Sequence, residues 1–565
     1  MRFLLGLLLL ILLPKGSLGQ EQIPISPAAA RANVDSISHV YYEARFAMYP
    51  AYATSMGVVA YDSLLSTFAP RKVRRFIIQT KRMRQDLMSF TEDSLDIQTW
   101  IDMKALVADM STQLFLLEDL KMPTKSPILY MDGCTNGLYY LAIRDQRFWL
   151  DPSFRARLAH LPKTLEMARK NLTDPIRLHC EVASASGKAF LPFLRDLESR
   201  PEEGSPGGAG LDSALIDRAY QSLEQFAAYL DSLSVTANPD FALGYDNFVR
   251  LLTDEHLIDE PPEEILAYAE RVLKDTKDRL NGLPKSGREA KVDTAYASRL
   301  TMSDILAFYG TEADSALAFL TRKDIVTIPQ GASVAVVETP AFIRVMAPGY
   351  AYEPPGPFDT DQRGLLYVPL PDSLRVEEKI YYAIAAGERK FKGLMVHELY
   401  PGHHLQVVIA NRGPSFVRKL QQDNFMMEGW ALYCEEMMAG EGYYGADGMR
   451  RALGGIRLRA ARAVIDIKLQ LKQFSLDQAV DFMVRETGQD RAFAEQEVRS
   501  YAVDPTQPMS YLIGKRNIVA LKDEVRRLRG SNFSLKEFHD MLLSCGSLPP
   551  SLLRVCVMSR ATGKE

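Results

Sequence analysis

Residues 393 to 406 read GLMVHELYPGHHLQ, and the chemistry of this stretch sets the class of the whole chain. The protein has only eight histidines, and three of them, His397, His403 and His404, fall here. Neutral imidazole is the common nitrogen ligand of zinc, and a carboxylate beside it can activate water held by the metal; His397 and Glu398 as neighbours therefore point to hydrolysis. The usual helical arrangement places two histidines four apart with the acid between them. Here the interval from His397 to His403 is six, about 600° of rotation on a regular helix, which would aim the rings apart. Pro401 changes that geometry. It cannot donate to the carbonyl of His397, its ring clashes with that turn, and Gly402 adds backbone freedom, so the helix breaks and His403 swings back towards His397. His404, seven on, returns to the first face but roughly 10.5 Å along the axis, and ranks behind His403 as a ligand.

A catalytic zinc commonly takes three protein ligands and keeps a position for water. The third is sought in MMEGWALYCEE, where Glu428 lies 25 residues beyond His403 in a second helical segment. Glu435, seven further on, shares its face and is placed to orient a histidine. Trp430 and Tyr433 read as core. Arg459, Arg462 and Asp466 lie on one helix at spacings that suit a structural ion-pair network.

Four ordered segments carry a family resemblance: HELYPGHHLQ from His397, EGWALYCEE from Glu428, RLRAARAVIDIKLQ from Arg457 to Gln470, and PTQPMSYLIGK from Pro505 to Lys515. Together they resemble bacterial domain-of-unknown-function family 885, which is similar to zincin metallopeptidases. The resemblance is strong over roughly the C-terminal 250 residues and rests on general helical character before them. It implies His397, His403 and Glu428 as ligands of Zn2+, Glu398 as general base, and Tyr511 as a hydrogen-bond donor to the oxyanion of a tetrahedral intermediate. Gln470 departs from the pattern, standing where a family histidine is expected, and this bears on substrate preference or rate. His404, Arg363 and Gln470 are the expected substrate contacts. The tract YAYEPPGPFDTDQRGLLYVPL, residues 350–370, is expected to offer an edge on which a peptide adds as a strand, with Arg363 meeting a substrate carboxylate.

The function these residues imply is a zinc-dependent hydrolase that cleaves peptide bonds, with Glu398 activating the metal-held water. The alternative is a catalytically silent metal- or peptide-binding extracytoplasmic protein. A di-iron helical protein is disfavoured, because the histidine cluster lacks paired Glu-x-x-His motifs.

Outside these segments the chain reads as mainly α with a small β-sheet, an α+β class built on a large helical zincin-like body with a cleft. Apolar residues recur at helical spacing over roughly 30–200, 213–285, 375–470 and 475–545. Ser475-Leu-Asp-Gln478 and Ser534-Leu-Lys-Glu537 have the pattern of capping boxes, and Pro261-Pro262-Glu263-Glu264 that of a helix start. β-Branched and aromatic runs between about 324 and 371, VTIP, VAVVE, FIRVM and LLYVPL, read as the sheet. The Gly- and Pro-rich stretch at 200–210 is taken as a boundary between an N-terminal helical region, 20–205, and a catalytic region, 206–565, whose metal-binding helices occupy 376–440.

Residues 1–19 read as a secretory signal: Arg2, an apolar run from Phe3 to Leu13 too short to span a bilayer, then Ser17 and Gly19. No cysteine adjoins the expected cleavage site to take a lipid. The expected location is periplasmic or secreted, without stable membrane insertion after cleavage. Of the residues, 47% are hydrophobic and 24% charged, and a net charge of −4 without a basic tract gives no case for nucleic acid. The expected partner is a peptide substrate; the sequence assigns no oligomeric state. Five cysteines are too few for a disulfide framework, and Cys545 and Cys556 either bridge or remain buried thiols.

Overall fold

The computed structural model of the protein describes residues 26–91, 94–145, 147–199, 211–283, 294–339, 349–370, 375–387, 391–445 and 448–563. The leader at 1–19, the loop at 200–210 and the run FIRVM at 342–346 lie outside them.

Helices dominate because apolar residues recur at three- and four-residue spacing and the starts are capped. In the Ser213–Thr236 helix, Ile216, Ala219, Leu223, Phe226 and Leu230 form one buried face. That face packs along the Arg177–Asp196 helix, and complete burial of each Leu or Phe contributes about 1.5–3 kcal/mol. At Ser475 both halves of the capping box form. At Ser534 the hydroxyl accepts from Glu537 N, which is the serine half. The helix foreseen at Pro261-Pro262 runs Pro262–Gly282. The principal core cluster draws residues from Val34 to Ala561.

Besides the short Thr294–Ala297 turn of helix, two longer helices were not foreseen. Met302–Lys323 begins at a capping box between Thr301 and Asp304, in which aspartate does the work usually given to glutamate. Pro550–Thr562 closes the described chain. The first braces the site, since it packs on both the sheet and the Lys392–Glu398 helix.

The sheet has three strands in the order β1-β3-β2. β1 (Ser333–Glu338) runs parallel to β3 (Arg363–Val368), with Ser333 opposite Arg363 and Glu338 opposite Val368. β2 (Ala351–Glu353) is antiparallel to β3. Of the tract 350–370 expected to offer an edge, β3 is the central strand, its ladder occupied on both sides, while β2 stands at the edge of the sheet. VTIP forms no strand, because Thr327 gives its backbone N–H and its hydroxyl to the Asp540 carboxylate.

Cys545 and Cys556 are bridged, and Cys134, Cys180 and Cys434 are buried free thiols. Among the described residues no helix is long and apolar enough to cross a membrane.

Candidate metal centre

The Lys392–Glu398 helix stops where Pro401 removes a donor, and the chain folds in on the carbonyl left free. Gly402 N donates to Val396 O at 3.0 Å, and Leu405 N reaches back to Leu399 O at 3.2 Å. A Cβ on Gly402 would lie 1.8 Å from His397 O. Glycine is therefore needed for close approach, more than for the backbone freedom read from the sequence. The next helix, His403–Ala410, starts with His403 turned towards His397, the ring centroids 4.9 Å apart.

Glu428 arrives on the Asn424–Gly440 helix. Two contacts fix its position. Trp430, fully buried, donates its indole N–H to Pro401 O at 2.8 Å and ties this helix to the histidine turn. Gly429 and Gly514 let the Asn424–Gly440 and Gln507–Arg529 helices meet backbone to backbone; a Cβ on Gly429 would stand 2.6 Å from Gly514 Cα. The sequence reading placed Trp430 in the core but missed both roles, although each residue lies inside the segments EGWALYCEE and SYLIGK.

His397, His403 and Glu428 thereby offer three ligand atoms within 4.8 Å of one another, the one such group among the described residues. Glu428 Oε2 lies 3.6 Å from His397 Nε2 and 3.3 Å from His403 Nε2. The three side chains keep only 10%, 12% and 17% of their surface exposed. Behind His397, Glu435 Oε1 stands 2.8 Å from Nδ1, which fixes the ring and turns Nε2 to the centre. Arg459 approaches the same Glu435 oxygen at 3.4 Å.

The electrostatics call for positive charge. Burial would depress His397, but the carboxylates of Glu428 and Glu435 outweigh it and hold its pKa up at about 10. Burial pushes the Glu428 carboxyl up, yet His403 and then His397 hold it well below its usual range. Two nitrogens and a carboxylate oxygen, converging and backed by a second carboxylate, are donors that could hold a metal ion.

Glu398, next to His397, makes no hydrogen bond or ion pair to another described residue, and its charge is felt by His397. Tyr511 stacks its ring on His397 at 6.2 Å and 14°. Gln507 donates to its hydroxyl at 3.2 Å, and the guanidinium of Arg462 lies 4.4 Å from its ring centroid. Burial, with the charge of Glu428, pushes its pKa up to about 12 against the pull of Arg462 and Arg459.

The three expected substrate contacts lie elsewhere. His404 is fully buried, bonded through Nδ1 to the Tyr352 hydroxyl at 2.8 Å, and burial lowers its pKa to about 4, so it is a neutral core residue behind the sheet. Gln470 is fully buried; its Oε1 accepts from Leu243 N and its Nε2 donates to Ala502 O, so it braces two segments and cannot face a ligand. Arg363 opens β3 and lies 3.6 Å from Asp361. Its neighbour Gly364 abuts His404, so alternation along the strand turns Arg363 to the other face. Nor do Arg459, Arg462 and Asp466 form one network: Arg459 faces Glu435, Arg462 lies 4.0 Å from Glu497, and Asp466 is buried and accepts from Thr506 N and Met509 N at the start of the Tyr511 helix.

Fold and centre together define a mainly helical protein in which His397, His403 and Glu428 form a group that could hold a metal ion. The match to the family model described as "Bacterial protein of unknown function (DUF885)" runs over residues 50–557, and the chain belongs to that family. Among solved structures it is similar to a protein of Shewanella oneidensis described as a lipoprotein of unknown function, with a TM-score of 0.72 and 21% identity over 93% of this chain and 99% of that one. A protein of Colwellia psychrerythraea described as a lipoprotein gives a TM-score of 0.76 and 18% identity over 95% and 100%. At these identities the likeness is one of fold. No curated protein matches the chain.

Proposed function

We propose that the chain is an extracytoplasmic zinc-dependent hydrolase that cleaves peptide bonds. The observation that carries this reading is the convergence of His397, His403 and Glu428 within 4.8 Å, with Glu398 beside them and bonded to no other described residue. Zinc bound there supplies a Lewis acid that polarises a carbonyl and lowers the pKa of water. Glu398 takes the proton from the attacking water and passes it to the leaving amine, for which an unengaged carboxylate next to His397 is suited. Tyr511 donates its phenolic hydrogen to the oxyanion; a pKa raised to about 12 keeps the phenol protonated at neutral pH. Glu435 holds the His397 ring in place. The location follows from the leader-like N-terminus, the Cys545–Cys556 bridge and the two solved relatives described as lipoproteins.

A peptide-library digest read by mass spectrometry, with and without chelator, tests this. New termini are expected from the zinc-loaded protein and none from the chelated protein or from Glu398→Gln. An intact library with stoichiometric zinc, and identical behaviour of Glu398→Gln, would favour the silent binding protein instead.

A further inference from the structure

A second constellation of charge lies away from the metal ligands. Between the N-terminal helices and the start of the helices bearing Glu428 and Tyr511 there is a cavity of about 460 Å³, with apolar walls that include Leu117, Met122 and Phe241. It adjoins a lobe of about 310 Å³, with which it shares Tyr49 and Leu129, and another of about 290 Å³, with which it shares Glu255.

Six carboxylates among the described residues line these lobes; Asp240, Asp109 and Asp423 are paired with Lys472, Arg45 and His256, and the other three come from separate elements. Asp132 comes from the Ile128–Ala142 helix, Glu255 from the end of the Tyr245–Asp254 helix, and Asp504 from the turn before Gln507. The charge of Asp504 is felt by both of the others. None makes a side-chain hydrogen bond or ion pair with a described residue, and Asp132 and Asp504 remain open to solvent within the cavity. The nearest base, His256, is engaged by Asp423 at 2.8 Å and Thr506 at 2.9 Å. Lys125 lines the main lobe without pairing to any of the three.

A further group in the same cavity points to a ligand. His179, only 5% exposed, bonds through Nδ1 to Ser126, while its Nε2 has no protein partner in a cavity that the side chain lines. Burial lowers its pKa to about 4, so the ring is neutral and can accept a hydrogen bond.

The charge of His256 offsets Glu255 and Asp504 only in part, since all three carboxyls stay raised above their usual range beside the apolar walls, and a bound cation relieves what remains. The carboxylates are not spaced as a metal group; among the described residues only His397, His403 and Glu428 bring their ligand atoms within 4.8 Å of one another. The geometry points to a site for a primary ammonium carried on an apolar body, the carboxylates taking the charge and the leucine-lined lobe the body. A peptide N-terminus and a free amine share this chemistry. The inference goes beyond the hydrolase reading and does not depend on it.

Calorimetric titration of the purified protein with phenethylamine, its N-acetyl derivative, phenylacetate, the tripeptide Phe-Gly-Gly and calcium tests the site. Phenethylamine is expected to bind, the acetylated and carboxylate analogues not. Asp504→Asn and Glu255→Gln should each weaken the amine at least tenfold while melting no lower than wild type, because each relieves repulsion. Tighter binding of Phe-Gly-Gly than of phenethylamine assigns the site to a peptide terminus, and the reverse order to a free amine; each supports it. Equal binding of amine and acetylated amine, no amine binding by wild type, displacement by calcium, or unchanged affinity in both variants overturns it. Should a variant fold poorly, the amine-against-acetyl comparison on wild type still decides.

Discussion

The metal centre and the acidic cavity both gather ionisable groups from distant parts of the chain, yet they resolve their charge in opposite ways. At the centre, His397, His403 and Glu428 crowd within 4.8 Å and a second carboxylate, Glu435, backs His397 at 2.8 Å. In the cavity, Asp132, Glu255 and Asp504 are held apart and make no ion pair. Spacing is what differs. Donor atoms that converge on one point suit an inorganic ion, whereas carboxylates spread around an apolar space suit a larger organic cation.

The comparison breaks most visibly at the centre. His403→Ala removes one of three ligands, and both stoichiometric zinc and chelator-sensitive hydrolysis should be lost while circular dichroism stays helical. Retention of zinc by this variant would place the ion elsewhere. Glu398→Gln should separate chemistry from binding: zinc content unchanged and kcat down by about 10²–10⁴, the usual contribution of general acid–base catalysis. Glu435→Gln touches no ligand atom directly, and a zinc affinity weaker by about 10–100-fold, measured by competition with a chelator, is the expected consequence of loosening the His397 ring.

The smallest effect sharpens the other side. Burial raises Asp132 from 3.8 to about 6, helped by the charge of Asp504; burial raises Asp504 likewise, against His256. An acid whose pKa is raised on folding contributes stability that is complete below the ordinary aspartate range and is lost as pH rises through 6. Asp132→Asn removes that loss. The variant should melt above wild type at pH 8 and coincide with it near pH 3, as thermal denaturation would show; a lower melting point at pH 8 would mean that Asp132 is paired.

Legibility followed locality. The helix break at Pro401-Gly402 could be read from residues because its causes, a missing donor and a missing side chain, lie within one turn. Glu428 and Glu435 could be read because a helix repeats its face. Signals that depend on a partner far away in sequence were not legible: Gly429 against Gly514, the Trp430 N–H on Pro401, and the cavity carboxylates drawn from positions 132, 255 and 504. Adjacency also misled. His404 follows His403 directly, yet one residue along a helix turns a side chain by about 100°, and it points to Tyr352. In the sheet the pattern gave β1 and β3 but not their order, since a strand sequence does not say which of its sides is paired.

The account rests on where zinc binds, and anomalous diffraction at the zinc edge from crystals of the zinc-loaded protein measures that directly. The predicted result is one peak about 2.0–2.2 Å from a nitrogen of His397, a nitrogen of His403 and an oxygen of Glu428. A zinc-free centre in a protein saturated with the metal, or a peak held by other residues, would contradict it.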